Sequence, residues 1–172
     1  MNYNIVGYGS LLSHNSLSKT IPDRSFTPVV VKGYKRVFNL KAERDRDPDV
    51  LNLKPDGRAQ FNGVLFSVNE DELVKIKERE DDYNLEETNC YDFTTGKPLG
   101  RCFITIDHVV GIDDAARPPD KSYFILCREA AYAVSEAFGK AWDETTYVAS
   151  GERVSEWLRK NPSYGSATKM PA

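Results

Sequence analysis

Histidine is scarce in this chain, with only His14 and His108, and the three cysteines, Cys90, Cys102 and Cys127, form no Cys-x-x-Cys pair. The first shortage argues against an imidazole-rich metal centre. The odd number and scatter of the cysteines argue against a disulfide framework and a zinc site, and fit a reducing cytoplasm. No run reaches the roughly 20 apolar residues that a membrane-spanning helix needs. The start, Met1-Asn2-Tyr3-Asn4, has neither the basic stretch nor the apolar run of a signal peptide. With 23 basic and 26 acidic side chains the net charge is -3, and the two signs are interspersed. No single-sign field invites nucleic acid or anionic lipid, so the expected partner is a small molecule; the oligomeric state stays open. The 172 residues, 40% hydrophobic, can build one sizeable core, and one domain is expected over the whole length.

The most informative stretch is Ile5-Val6-Gly7-Tyr8-Gly9-Ser10-Leu11-Leu12. It reads as a buried strand feeding a loop in which two glycines remove side-chain bulk. Such a turn can aim N–H groups into one concavity that holds a carboxylate, a phosphate or a developing oxyanion. A β-bulge that needs glycine only for its backbone angles explains the same residues. Known motifs are excluded by spacing. A nucleophile elbow needs glycine two positions before and after the serine, but Tyr8 and Leu12 flank Ser10 there. A third glycine for a dinucleotide fingerprint and a Gly-Lys-Ser/Thr for a P-loop are both missing.

Several β-rich runs follow. Phe26–Val31 and Tyr34–Leu40 read as a hairpin or one bulged strand around Lys32-Gly33. Lys41–Asp49 is a mixed-charge segment that suits a surface loop, and Val50–Leu53 is a short strand ended by the turn signal Pro55-Asp56-Gly57. Phe61–Val68 is the next strand, with Gly63 marking a bend or the approach of another backbone. Tyr83–Phe93 reads as an edge strand and Arg101–Val110 as its hairpin partner. His14 beside the glycine loop and His108 in the last strand read as residues without chemistry.

Asn69 and Glu72 form a capping box for a helix over 70–80. Leu73, Ile76 and Glu80 share its apolar stripe, while Glu70, Asp71, Lys75, Lys77, Glu78 and Arg79 make the solvated face. A carboxylate on an apolar face becomes more basic, which prepares a general base. The competing reading leaves Glu80 exposed at a frayed end, like Asp81 and Asp82. The longest helix is expected from Ser122 to about Trp142, with Tyr123 offering a hydroxyl at its mouth. A second covers 152–158, and the tail from about 161 is expected to be loose.

The order of Tyr8-Gly9-Ser10-Leu11, Gly33-Tyr34-Lys35-Arg36-Val37-Phe38, Gly63-Val64-Leu65-Phe66, Arg79-Glu80-Asp81-Asp82-Tyr83 and Pro119-x-x-x-Tyr123 resembles the γ-glutamylcyclotransferase-like superfamily. The resemblance spans residues 3 to 140. It implies an α+β fold, a small mixed β-barrel flanked by helices, with a cavity at one end. It also implies an enzyme that releases an amine from a γ-glutamyl compound as the glutamyl part cyclises to 5-oxoproline, with Glu80 as general base and then acid. Tyr8, Gly9, Ser10, Leu11, Tyr83 and Tyr123 would hold the substrate, and neither metal nor organic cofactor is required. The motif around Gly33–Phe38 is similar to that of glutathione-specific members. Leu11 and Leu12 depart from the Asn or Met often found there, so the γ-glutamyl substrate stays open. Two other readings remain: a ligand-binding or regulatory module on the same fold, and a serine hydrolase using Ser10, His108 and an Asp.

Overall fold

The computed structural model describes residues 1–40, 50–80, 83–106 and 118–165. Within them one mixed six-stranded sheet is flanked by helices. The strands are β1 (Tyr3–Gly7), β2 (Thr27–Leu40), β3 (Val50–Val68), β4 (Asn84–Asp92), β5 (Pro98–Ile106) and β6 (Thr146–Val148). The helices are α1 (His14–Leu17), α2 (Glu70–Arg79), α3 (Lys121–Val134), α4 (Glu136–Thr145) and α5 (Val154–Lys160). Because β3 pairs with both β1 and β2, the pairings β3–β1–β5–β4–β2 lead back to β3, and β6 is added along the second half of β2. Among the described residues only β1–β5 and β2–β6 are parallel.

Strand β2 settles the choice between a hairpin and a bulged strand in favour of the latter. Lys32 pairs with Gln60 but Tyr34 with Pro55, so Gly33 alone faces the segment 56–59. Gly33 has φ 93°, which glycine adopts without a Cβ penalty. The same irregularity corrects the reading of Pro55-Asp56-Gly57. These residues lie inside the single strand β3, where surplus length is absorbed against β2 and the chain does not reverse. Gly63 is a point of close approach: a Cβ there would lie 2.6 Å from the Gly7 carbonyl oxygen. Strand β4 is not a simple edge, because Cys90–Asp92 also pair with Val29–Val31 of β2.

The expected helix over 122–142 is two helices. Ser135 between them is extended, with φ -170° and ψ 164°, and its side chain accepts the Phe138 N–H at 3.0 Å. The serine caps α4, so the chain restarts rather than continues. The buried faces are accordingly Phe124, Cys127, Arg128 and Ala131 on α3, then Phe138, Gly139, Trp142 and Asp143 on α4, while Leu126 is exposed. The last helix starts at Val154, and the short β6 before it was not expected. Residues 41–49, Asp81, Asp82, 107–117 with His108, and those beyond 165 lie outside the described residues. Of the tail expected to be loose from about 161, Pro162–Tyr164 form a short 3-10 turn and the Tyr164 hydroxyl donates to the Pro119 carbonyl at 3.1 Å.

Strand β1 is buried on both faces. Val6 and Tyr8 point into the main cluster with Phe38, Phe61, Phe124 and Trp142, whereas Ile5 packs with Phe66, Leu73 and Ile76. The glycine loop therefore emerges between two cores, with α2 docked on the second. Burying Leu73 and Ile76 contributes about 1.5–3 kcal/mol each and fixes where α2 ends.

Candidate active site

The end of α2 begins with its start. The Asn69 side chain accepts the Glu72 N–H at 2.9 Å, Glu72 accepts the Asn69 N–H at 2.9 Å, and Glu72 also binds Arg24. The helix that this box nucleates stops at Glu80, whose N–H still bonds to the Ile76 carbonyl at 2.9 Å. Glu80 is thus at the last turn, yet its side chain is only 15% exposed. It is not solvated in the way the competing reading requires.

Arg79 corrects a second expectation. It does not join the solvated face: Nη1 donates to the Ser16 carbonyl at 2.7 Å and to Thr20 Oγ1 at 3.0 Å, and Nη2 to Ser16 Oγ at 2.6 Å and Ser10 Oγ at 3.1 Å. Its Nε lies 3.7 Å from Glu80 Oε1. One guanidinium thus ties the segment after the glycine loop to the end of α2, and steers the neighbouring carboxylate.

A cavity of about 20 Å3 lies at this junction, lined by Tyr8, Gly9, Ser10, Leu11, Leu51, Glu80, Tyr83 and Tyr123. Every residue singled out from the sequence as catalytic or substrate-holding is in its wall; Leu51 of β3 is the addition. Tyr8 donates to the Thr105 carbonyl at 2.6 Å, and Tyr83 donates to the Leu51 carbonyl. Gly9 is closely overlaid by Tyr123: a Cβ on it would meet the Tyr123 oxygen at 2.7 Å. Ser10–Leu12 form a 3-10 turn, closed by Leu12 N–H to the Gly9 carbonyl at 3.0 Å. Among the described residues the N–H groups of Gly9, Ser10 and Leu11 have no acceptor.

Burial raises the Tyr8 and Tyr123 hydroxyls far above the ordinary phenol range, and the Glu80 charge pushes both further up. Both phenols stay protonated, as donors. Burial likewise lifts the Cys127 thiol to about 12, which keeps it an inert core residue. His14 is not part of the cavity; its Nδ1 sits 2.7 Å from Asp23 and its ring stacks on Phe26 at 3.8 Å. Among the described residues no three His, Cys, Asp or Glu side chains group as a metal site, and no helix is long and apolar enough to cross a membrane.

The sequence reading missed Arg36, which is fully buried on β2 directly behind the loop. It sits within the Gly33–Phe38 motif, but an arginine in an alternating strand carries no mark of being inward-facing. Its alternation with buried Phe38 is the one available signal.

No protein-family model matches the sequence, and no curated protein matches it significantly. Solved structures do. A γ-glutamyl cyclotransferase superposes with a TM-score of 0.70 at 15% identity, covering 94% of this chain and 98% of its own. YkqA from Bacillus subtilis gives 0.66 at 22% identity over 81% of this chain, which spans only 52% of YkqA. The yeast cyclotransferase specific to glutathione gives 0.55 at 14% identity over 98% of this chain and 89% of that one. The cycle of strands, the glycine loop after β1 and the helix ending at Glu80 thus stand in an architecture shared with these proteins, and the chain has the γ-glutamyl cyclotransferase fold.

Proposed function

We propose that this chain is a cyclotransferase that releases 5-oxoproline and an amine from a γ-glutamyl amine, amino acid or peptide. The observation that carries the reading is the single cavity whose wall holds both Glu80 and the Gly9–Leu11 loop, whose N–H groups have no acceptor among the described residues. The closed cycle of strand pairings supports the small β-barrel that such a site would cap.

The chemistry follows from those groups. The substrate's α-amine attacks its own γ-carbonyl, forming the ring C–N bond, and folding the chain back makes this step effectively unimolecular. The amine must first lose a proton. Glu80 accepts it, and returns it to the departing nitrogen as the original amide bond breaks, so one carboxylate serves both steps. The γ-oxygen gains negative charge in between, and the loop N–H groups stabilise it. Tyr123, held protonated by its burial, donates to the substrate's polar atoms, and the Tyr83 hydroxyl, whose hydrogen goes to the Leu51 carbonyl, offers its oxygen as an acceptor. The cavity at rest has room for about one water-sized group. A γ-glutamyl moiety therefore needs the cavity to widen on binding.

Ser10 is better read as support than as nucleophile, because its hydroxyl accepts from Arg79 rather than facing a base. The test is to incubate the protein with glutathione, γ-glutamyl-alanine and γ-glutamyl-lysine and assay 5-oxoproline. Release from at least one is expected. Failure with a broad γ-glutamyl panel, while ligands still bind, would favour a binding module on this fold.

A further inference from the structure

Two arginines are buried in the core, and their charges are balanced in different ways. Arg128 on α3 meets Asp143 on α4 through both ends of its fork, Nε to Oδ1 at 2.7 Å and Nη2 to Oδ2 at 2.8 Å. Arg36 meets only neutral oxygens. Its Nε donates to Thr146 Oγ1 at 2.8 Å, Nη1 to the Asn62 carbonyl at 2.5 Å and the Tyr8 carbonyl at 3.4 Å, and Nη2 to Asn62 Oδ1 at 2.7 Å and Thr145 Oγ1 at 3.0 Å. The Phe61 and Trp142 rings lie 5.8 and 5.3 Å from its central carbon. Among the described residues no carboxylate forms an ion pair with it, and Asp143, the acid it feels, is already engaged by Arg128.

Among the described residues Arg36 is therefore a buried cation with no carboxylate partner. Burial pulls the Arg36 guanidinium down to about 9, which leaves it cationic at neutral pH. An unpaired buried charge is costly, and a purely structural role is served more cheaply by apolar residues. Its position suggests what the charge does. The described chain has no cis peptide bond, so the Tyr8 carbonyl and the Gly9 N–H point in opposite directions from one peptide plane. The carbonyl end faces Arg36, which is outside the cavity wall; the N–H end belongs to Gly9, which is in it. At 3.4 Å the contact is a long hydrogen bond, and the charge acts mainly as a fixed field along the peptide dipole through a low-dielectric core.

Building on the cyclotransferase reading of the cavity, we propose that Arg36 is the positioning residue of the glycine loop. It turns the Tyr8–Gly9 peptide so that the Gly9 N–H meets the substrate oxyanion, and its unneutralised charge strengthens that contact. Arg36 touches no substrate atom itself.

The test follows the Gly9 amide resonance in isotope-labelled protein as 5-oxoproline is added. In the wild type that resonance moves as the ligand binds. In Arg36→Met the movement is lost. Arg36→Lys lowers kcat by about 10- to 100-fold with KM within about threefold, less than the loss of an oxyanion donor itself. Asn62→Asp serves where Arg36→Met does not fold: it keeps an acceptor for Nη2 and supplies the missing negative charge, while giving up the Asn62 Nδ2 donor to the Phe138 carbonyl at 2.9 Å. It should weaken 5-oxoproline binding about tenfold, as expected for pairing a charge in low dielectric, with the ligand-free Gly9 resonance in place. A folded Arg36→Met or Asn62→Asp protein that binds 5-oxoproline with the wild-type affinity and Gly9 shift would overturn the proposal, as would a wild-type Gly9 resonance indifferent to ligand. Should the wild type show the Gly9 shift yet release no 5-oxoproline from any γ-glutamyl compound, the reaction fails and the Arg36 assignment stands. Turnover with the Gly9 shift unaltered in the variants sinks the assignment alone.

Discussion

Two concavities open on either side of the segment that follows the glycine loop, and they differ in almost every respect. The larger, about 710 Å3, runs between Leu12, Phe26 and Pro28 on one wall and Ala130, Ala133 and Val134 of α3 on the other. Its titratable lining is limited to Glu129 and to His14, which is occupied by Asp23 and Phe26. The smaller, about 20 Å3, gathers Glu80, three tyrosines and the unpartnered loop amides. Size alone would choose the first, since ligand sites are commonly the largest pocket. Convergent polar groups choose the second. Helix α3 serves both, presenting Tyr123 to the small cavity and, from the next turns, Leu126 and Ala130 to the large cleft. What marks the candidate site is thus the convergence of polar groups and not standing volume.

The comparison can be broken from the small cavity first. Glu80→Gln keeps the shape and removes the proposed proton acceptor, so kcat should drop about 10²- to 10⁴-fold with the melting temperature little changed. Full activity of that variant in a 5-oxoproline assay would transfer the chemistry elsewhere. Gly9→Ala should come next. Its Cβ would lie 2.7 Å from the Tyr123 oxygen, and displacement of the loop by a fraction of an ångström should cost about 10- to 100-fold, measured as kcat/KM. Ser10→Ala removes one acceptor from Arg79 but no reacting group, so turnover should persist within about fivefold, the value of one net hydrogen bond. Loss of all turnover would instead revive a serine hydrolase. The smallest effect is reserved for the large cleft. Ala133→Trp projects bulk from an exposed position of α3, and the rate should stay within about twofold, as for other surface changes. A marked fall would mean that the cleft takes part.

Local chemistry made much of this site legible. The capping box of Asn69 and Glu72 forms as its spacing implies, and it sets the phase that brings Glu80 to the packed end of α2. The glycine loop and both pocket tyrosines came from motifs a few residues long. What stayed hidden depends on distant partners. Arg79 reads as solvated until Ser10, Ser16 and Thr20 are placed against it, and Arg36 until Asn62, Thr145 and Thr146 are folded around its head. The break at Ser135 was masked because the apolar period continues on both sides of it, while the decisive event is one side chain capping α4. Pro55-Asp56-Gly57 carries turn chemistry, yet β2 holds both halves of β3 and makes it a bulge.

The claim that the small cavity performs an internal cyclisation can be put to one measurement. The wild-type protein is given its best γ-glutamyl substrate in water enriched in heavy oxygen, and the products are weighed by mass spectrometry. Attack by the α-amine predicts 5-oxoproline free of heavy oxygen, formed in equal amount with the released amine. Glutamate carrying heavy oxygen as the primary product would contradict it, because water rather than the substrate's own nitrogen would then be the nucleophile.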